Sequence, residues 1–225
     1  MPRPPLHGTC TLCGVQKTKA AMTTHVKTCA RRHDSPGQPT ALVQLRIEGS
    51  GAPMFWIDVE VKADAPLKQL DQFLRRLWLE CCGHLSAFHI DSIRYSVSVD
   101  RTFGVRANER SMSARVGDAL ASTGQRFTYE YDFGSTTYLA GRVVGTAPGN
   151  IGRSAVRLLA RNDAPTWPCA TCAEPATEIC SYCVDEPAPF FCARHAPQHP
   201  CAADEPFLPV VNSPRMGTCG YTGGS

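Results

Sequence analysis

At 225 residues, with 43% hydrophobic residues and a net charge of +3, the chain has room for one ordinary domain of roughly 100 to 150 residues plus small modules. No apolar run reaches the roughly 18 residues of a membrane span, and Met1–His7 (MPRPPLH) offers prolines rather than an apolar signal core. A cytoplasmic protein with no membrane partner is expected. Six of its twelve cysteines fall in three Cys-x-x-Cys units with histidines nearby, a metal-binding pattern rather than a disulfide scaffold, and thiolates stay available to metal where the compartment is reducing.

Charge is uneven along the chain. Residues 1–40 carry six Lys/Arg against Asp34, a balance of +5, whereas residues 165–225 carry Arg194 and Arg215 against six Asp/Glu, a balance of −4. This asymmetry suits an N-terminal segment attracted to phosphate and a C-terminal one that is not.

The first expected module covers residues 1–34. Cys10-x2-Cys13 is followed by His25-x3-Cys29; the first pair fits a tight knuckle, and residues four apart on a helix face one side and reach the same ion. Cys29 and His33 repeat that spacing, so His33 competes for a ligand place. The arrangement resembles a C2HC or C2H2 zinc finger, with Met22 as an apolar contact. Fingers of that kind place an aromatic residue shortly after the second cysteine, where this chain has Lys17. Lys27, Arg31 and Arg32 follow on the helix and are candidate phosphate contacts.

After a turn-rich linker (35–40), residues 41–161 read as an α+β domain. Leu42–Ile47 and Phe55–Val61 are expected strands of a hairpin. Leu67, Leu70, Phe73, Leu74, Leu77 and Trp78 recur at helical spacing and give one apolar face to lay on it. Strand-like runs at Ile93–Val99, Gln125–Asp132 and Leu139–Val144, with a short helix over Ser113–Ser122, complete a β-β-α-β-α-β-β order of β-grasp-like type with helix on one sheet face. Tyr129, Tyr131 and Phe133 are expected on one strand face, turned by Gly134. His84, His89, Asp91 and Asp132 are the polar candidates, but no spacing brings them together. Cys81 and Cys82 are read as small buried core residues, a metal role with His84 being the alternative.

The LWLECCGHLSAF and FTYEYDFGSTTY segments resemble the plasmid pRiA4b ORF-3 family, small α+β proteins encoded on plasmids and as transposon passengers. His84 and Phe88 match its His-Leu-x-x-Phe element. Tyr129, Tyr131, Asp132, Phe133 and Gly134 match its Tyr-x-Tyr-Asp-Phe-Gly element. The family's usual downstream His is missing, because Ser135–Leu139 follow instead. The resemblance implies the fold and an association with mobile DNA, and carries no assigned activity.

The last module, residues 165–225, carries Cys169-x2-Cys172, Cys180-x2-Cys183 and Cys192-x2-His195-x3-His199-x-Cys201, eight ligands for two four-coordinate ions. The gap between the first two pairs is too short for a ribbon, whose knuckles lie about 15 to 20 residues apart. Interleaving is therefore expected, with Cys169, Cys172, Cys192 and His195 on one ion and Cys180, Cys183, His199 and Cys201 on the other. This is similar to the cross-brace of B-box and MYND-type protein-interaction modules. Cys219, in the Gly- and Pro-rich tail, is an alternative to His199 or Cys201.

Three structural Zn2+ sites are thus expected, each closed by four protein ligands with no open position for catalysis. The function expected is that of a non-enzymatic adaptor or accessory protein of mobile DNA. It would bind a protein partner and, through the N-terminal finger, nucleic acid, with no small-molecule substrate. The alternative is a nucleic-acid-processing or recombination accessory enzyme with a polar site in the middle domain.

Overall fold

The computed structural model describes residues 6–97, 108–204 and 206–224. The described chain is α+β and divides into two compact units, one holding residues up to Phe73 together with Leu85–Asp163, the other Leu74–His84 together with the chain from Ala164 onward. These units do not follow the expected segments. The expected N-terminal module falls in the first unit, and Leu74–His84 falls in the second.

In the first unit, β1 (His7–Cys10), β2 (Gln16–Thr18) and α1 (Lys19–Arg32) form the finger, followed by the hairpin of β3 (Thr40–Gly49) and β4 (Ala52–Lys62). Gly51, at φ +80, supplies the left-handed turn that closes the hairpin. Next come α2 (Leu67–Leu74), β5 (Ser86–Ile90), β6 (Ile93–Ser96), β7 (Glu109–Ser111), the four-residue α3 (Val116–Ala119), β8 (Arg126–Tyr131), β9 (Thr137–Gly149) and β10 (Val156–Asn162). The ten strands make one sheet in the order β2-β1-β10-β4-β3-β9-β8-β5-β6-β7, antiparallel except for β6 beside β7. Ser98 and Val99, the end of one expected strand, lie outside the described residues.

Period-2 alternation gives this sheet two unlike faces. Leu45, Ile47, Ile57, Val59, Phe88 and Tyr129 are buried on the apolar one. It is covered by α2, whose buried Asp71 accepts hydrogen bonds from Ser86 Oγ (2.6 Å) and Tyr129 Oη (2.8 Å). The opposite face is polar: Gln44, Arg46, Asp58 and Glu60 are buried there too, because α1 lies over them. Arg46 donates to Lys19 O and Thr23 Oγ1 of α1 and makes a bidentate pair with Asp58 at 2.6 Å. Burial pushes the Asp58 carboxyl up against the opposing pull of Arg46.

Three local expectations are corrected. The apolar helix stops being α-helical at Leu74 and continues as a π-helical turn, Arg75–Leu79. The Ser113–Ser122 helix shrinks to α3, held by Val116 N–H to Ala65 O and Gly117 N–H to Ala63 O. Phe133 does not share a face with Tyr129 and Tyr131: β8 ends before Asp132, which takes a left-handed φ of +67, so Tyr129 and Tyr131 are fully buried while Phe133 is 45% exposed beneath the Arg94 guanidinium. Strands β1, β2, β5, β7 and β10 add to the expected order.

The second unit buries Leu74, Trp78, Leu79, Ile179 and Tyr221. Its sheet is β12-β11-β13, formed by β11 (Glu178–Cys180), β12 (Phe190–Phe191) and β13 (Phe207–Pro209). Cys180, Phe191 and Ala196 form one buried cluster beside this sheet. The tail is ordered, with Ser213 Oγ donating to Trp78 O at 2.6 Å and Arg215 and Tyr221 buried. No helix among the described residues is long and apolar enough to cross a membrane.

Candidate metal centres

Four groups of Cys and His side chains converge, each offering three sulfurs and one imidazole nitrogen that lie within 4.8 Å of one another. A tetrahedral zinc with bonds of about 2.3 Å to sulfur and about 2.0 Å to nitrogen would set S···S edges near ~3.8 Å and S···N edges near ~3.6 Å. Thiolate and imidazole donors closing four positions fit a structural, four-coordinate ion of this kind.

The first set is Cys10, Cys13, His25 and Cys29. β1 and the turn after it form the knuckle, with Gly14 N–H bonding Cys10 O and Cys10 N–H bonding Val15 O. Thr18 caps α1 by accepting from Ala21 N–H, and α1 presents His25 and Cys29 one turn apart. Cys10 Sγ stands 3.9 Å from Cys29 Sγ, and Cys13 Sγ 3.4 Å from His25 Nε2. His33 remains outside the set, its Nδ1 2.9 Å from Cys29 O. Burial, aided by Lys17 and Arg32, lowers the His25 pKa and keeps the ring neutral as a ligand must be. The Val15 N–H lowers Cys13, whereas burial beside Cys13 and Cys10 pushes Cys29 up to about 12.

The core around this set explains the finger's missing aromatic. Trp56, from β4, is fully buried with Cys10, Met22, Val26, Cys29, Leu159 and Ala160. It packs so tightly on β1 that a Cβ at Gly8 would come within 2.5 Å of the indole ring. The finger's core residue is therefore borrowed from the central sheet.

In the second unit, Cys169, Cys172, Cys192 and His195 form one set and Cys180, Cys183, His199 and Cys201 another. Cys172 and Cys192 sulfurs are 3.8 Å apart and Cys192 Sγ is 3.4 Å from His195 Nδ1. Cys183 Sγ lies 3.4 Å from His199 Nε2 and 3.9 Å from Cys201 Sγ. The sets interleave along the chain. Burial opposes ionisation of Cys169, but the Cys192, Thr171 and Cys172 amides and His195 outweigh it and bring that thiol down to about 5. Cys183 is pushed up to about 11 by its hydrogen bond with Cys180, by burial and by Cys201.

The fourth set corrects two expectations. Cys81, Cys82, His84 and Cys219 converge, so Cys81 and Cys82 are not buried core and Cys219 does not join His199 and Cys201. Cys82 and Cys219 are exposed, and His84 Nε2 lies 3.0 Å from Cys82 Sγ and 3.2 Å from Cys219 Sγ. The hydrogen bond with Cys81, followed by burial and Cys219, pushes the Cys82 thiol up to about 11. Cys219 takes a left-handed φ of +50 between Gly217 and Gly220, which aims its sulfur at the other three. The available signal was arithmetic: twelve cysteines less nine in the expected sets leaves these three beside His84.

The remaining candidates are dispersed. His89 Nε2 pairs with Glu130 Oε1 at 2.9 Å, Asp91 accepts from Gln125 Nε2, and Asp132 Oδ1 accepts from Gly134 N–H. On α1, Lys27 and Arg32 are exposed, but Arg31 is committed to Glu60, to Asp34 and to Pro148 O at 2.5 Å.

Fold and donor sets together define an α+β protein with a large central sheet and four Cys3His groups able to hold metal ions. Residues 41–155, just over half of the chain, match the family model described as plasmid pRiA4b ORF-3-like protein, and the chain belongs to that family. No curated protein matches it. Among solved structures it is similar to a protein of unknown function, MM3350, from Methanosarcina mazei Go1. The identity is 14%, covering 56% of this chain and 70% of that one, with a TM-score of 0.46.

Proposed function

We propose that this chain is a non-catalytic adaptor or accessory protein of mobile DNA, held together by four structural zinc ions, whose C-terminal unit docks a protein partner. The observation that carries this reading is that each donor set supplies four protein ligands, which fills a tetrahedral ion and leaves no position for an activated water.

The partner surface follows from the Cys180–Cys183 knuckle. Tyr182 is 65% exposed and Val184 36% exposed, next to Asp185 and Glu186. A dication bound by three thiolates and a neutral imidazole leaves each set with a net charge of about −1, so loading makes this acidic segment more so. A partner presenting basic and apolar side chains is the complementary one. For nucleic acid, Lys27 and Arg32 are the finger residues left for phosphate.

The test is affinity purification of the zinc-loaded chain from a host carrying the mobile element, in parallel with Tyr182→Ser. A stoichiometric basic partner recovered by the native chain and lost from the variant is expected. Recovery by both equally, or a defined chemical turnover by the purified protein, would overturn the reading.

A further inference from the structure

The polar sheet face carries an arrangement that folding alone does not explain. Register places Arg46 of β3 opposite Arg142 of β9, and Arg142 opposite Arg126 of β8. Three arginines therefore stand side by side on adjacent strands, about 4.8 Å apart. Like charges directly opposite one another destabilise a sheet. Asp58, across from Arg46 on β4, pairs with Arg46 at that end of the row, where Arg46 is also stacked 4.4 Å over the Trp56 ring, and its charge reaches Arg142 through space as well. Arg126 and Arg142 are exposed and make neither an ion pair nor a hydrogen bond among the described residues.

A hollow of about 580 Å³ opens over this row, with Thr128 and Ala140 in its floor and His89 at its side. Its two carboxylates are already engaged: Glu48 by Lys19, Asp91 by the Gln125 amide. The hollow is far larger than a bare phosphate needs and falls in the size range of about 300 to 1,000 Å³ typical of small-molecule sites. Planar guanidinium forks bind phosphate oxygens in a bidentate manner, and a phosphate between Arg126 and Arg142 would remove the repulsion that the empty row carries.

We infer that the Arg46–Arg142–Arg126 row is a binding site for a phosphate ester of nucleotide size. The inference does not rest on the phosphate contacts proposed for Lys27 and Arg32 or on the protein-partner reading. A mononucleotide and the backbone of a single strand share this chemistry, and the probes separate them.

Calorimetric titration of the zinc-loaded full chain with a nucleoside monophosphate, inorganic phosphate and a short single-stranded oligonucleotide tests the assignment. Saturable nucleotide binding, competed by phosphate and weakened about tenfold or more by Arg126→Ala or Arg142→Ala, is expected from the loss of a charged hydrogen-bonding partner. Tighter oligonucleotide binding lost in the same variants assigns the phosphate to a strand backbone. Thermal stability of the variants equal to or above that of the native chain marks a site rather than a structural pair. Arg142→Lys, which keeps the charge without the fork, is expected to bind at an intermediate strength. Absence of saturable binding by all three probes, or binding unchanged in the Arg126→Ala/Arg142→Ala double variant, overturns the inference.

Discussion

The first metal set and the three in the second unit share one donor chemistry but not one role in folding. Around Cys10, Cys13, His25 and Cys29, β1 is hydrogen-bonded into the ten-stranded sheet and Trp56, Leu159 and Ala160 complete the core. Around the other sets the sheet is three short strands, and the cluster of Cys180, Phe191 and Ala196 contains one ligand and packs against two more, Cys183 and Cys201, with Leu74, Trp78, Leu79, Ile179 and Tyr221 also buried in the unit. Where apolar burial is ample, an ion finishes a structure that the sheet already organises. Where the strands are short and the ligands are themselves part of the core, metal binding would supply a larger share of the folding free energy.

The largest effect that can break this comparison is metal removal. Chelation is expected to unfold β11–β13 and the tail while β3, β4 and β9 keep their amide protection, read by hydrogen exchange; equal loss in both units would show the contrast to be wrong. Acid should act through the same ligands. Cys82 and Cys183 at about 11 and Cys29 at about 12 are protonated at neutral pH in the absence of metal, so each ion must displace protons to bind. Zinc affinity therefore rises with pH and falls as pH drops, which a pH series of competition titrations measures.

Next in size is Trp56→Ala. Loss of a fully buried indole is expected to cost about 3 to 5 kcal/mol and to loosen metal at Cys10, Cys13, His25 and Cys29, with the second unit's zinc unaffected. Urea unfolding and metal exchange followed separately for each unit check it. The smallest effect is that of Cys219→Ser, at the most exposed set. Zinc content by elemental analysis is expected to fall from four ions to three, with backbone protection changing only near Cys81–His84 and Cys219.

The sequence made local features legible and hid the distant ones. The β3–β4 hairpin follows from alternation over a short turn, and the interleaved ligand pairs follow from spacings of two and three residues. Strand β10 escaped notice because Arg157, Arg161 and Asn162 interrupt its apolar run, yet Arg157 is drawn in by Asp34 and Glu60. Strand β5 is only five residues long, with His89 interrupting its apolar run. The fourth metal set joins His84 to a residue 135 positions away, a pairing on which ligand-spacing rules are silent. Trp56 was likewise unreadable as a finger residue, since only the sheet register brings it under Gly8.

Strand β10 would be the outer strand of the central sheet if the finger were absent, and its free amides and carbonyls would invite pairing with another chain. β1 covers that edge, and β2, only three residues long and carrying Lys17, replaces it with a short, charged boundary. An ion held by Cys10, Cys13, His25 and Cys29 would tie the turn after β1 to α1 and so help keep that border covered.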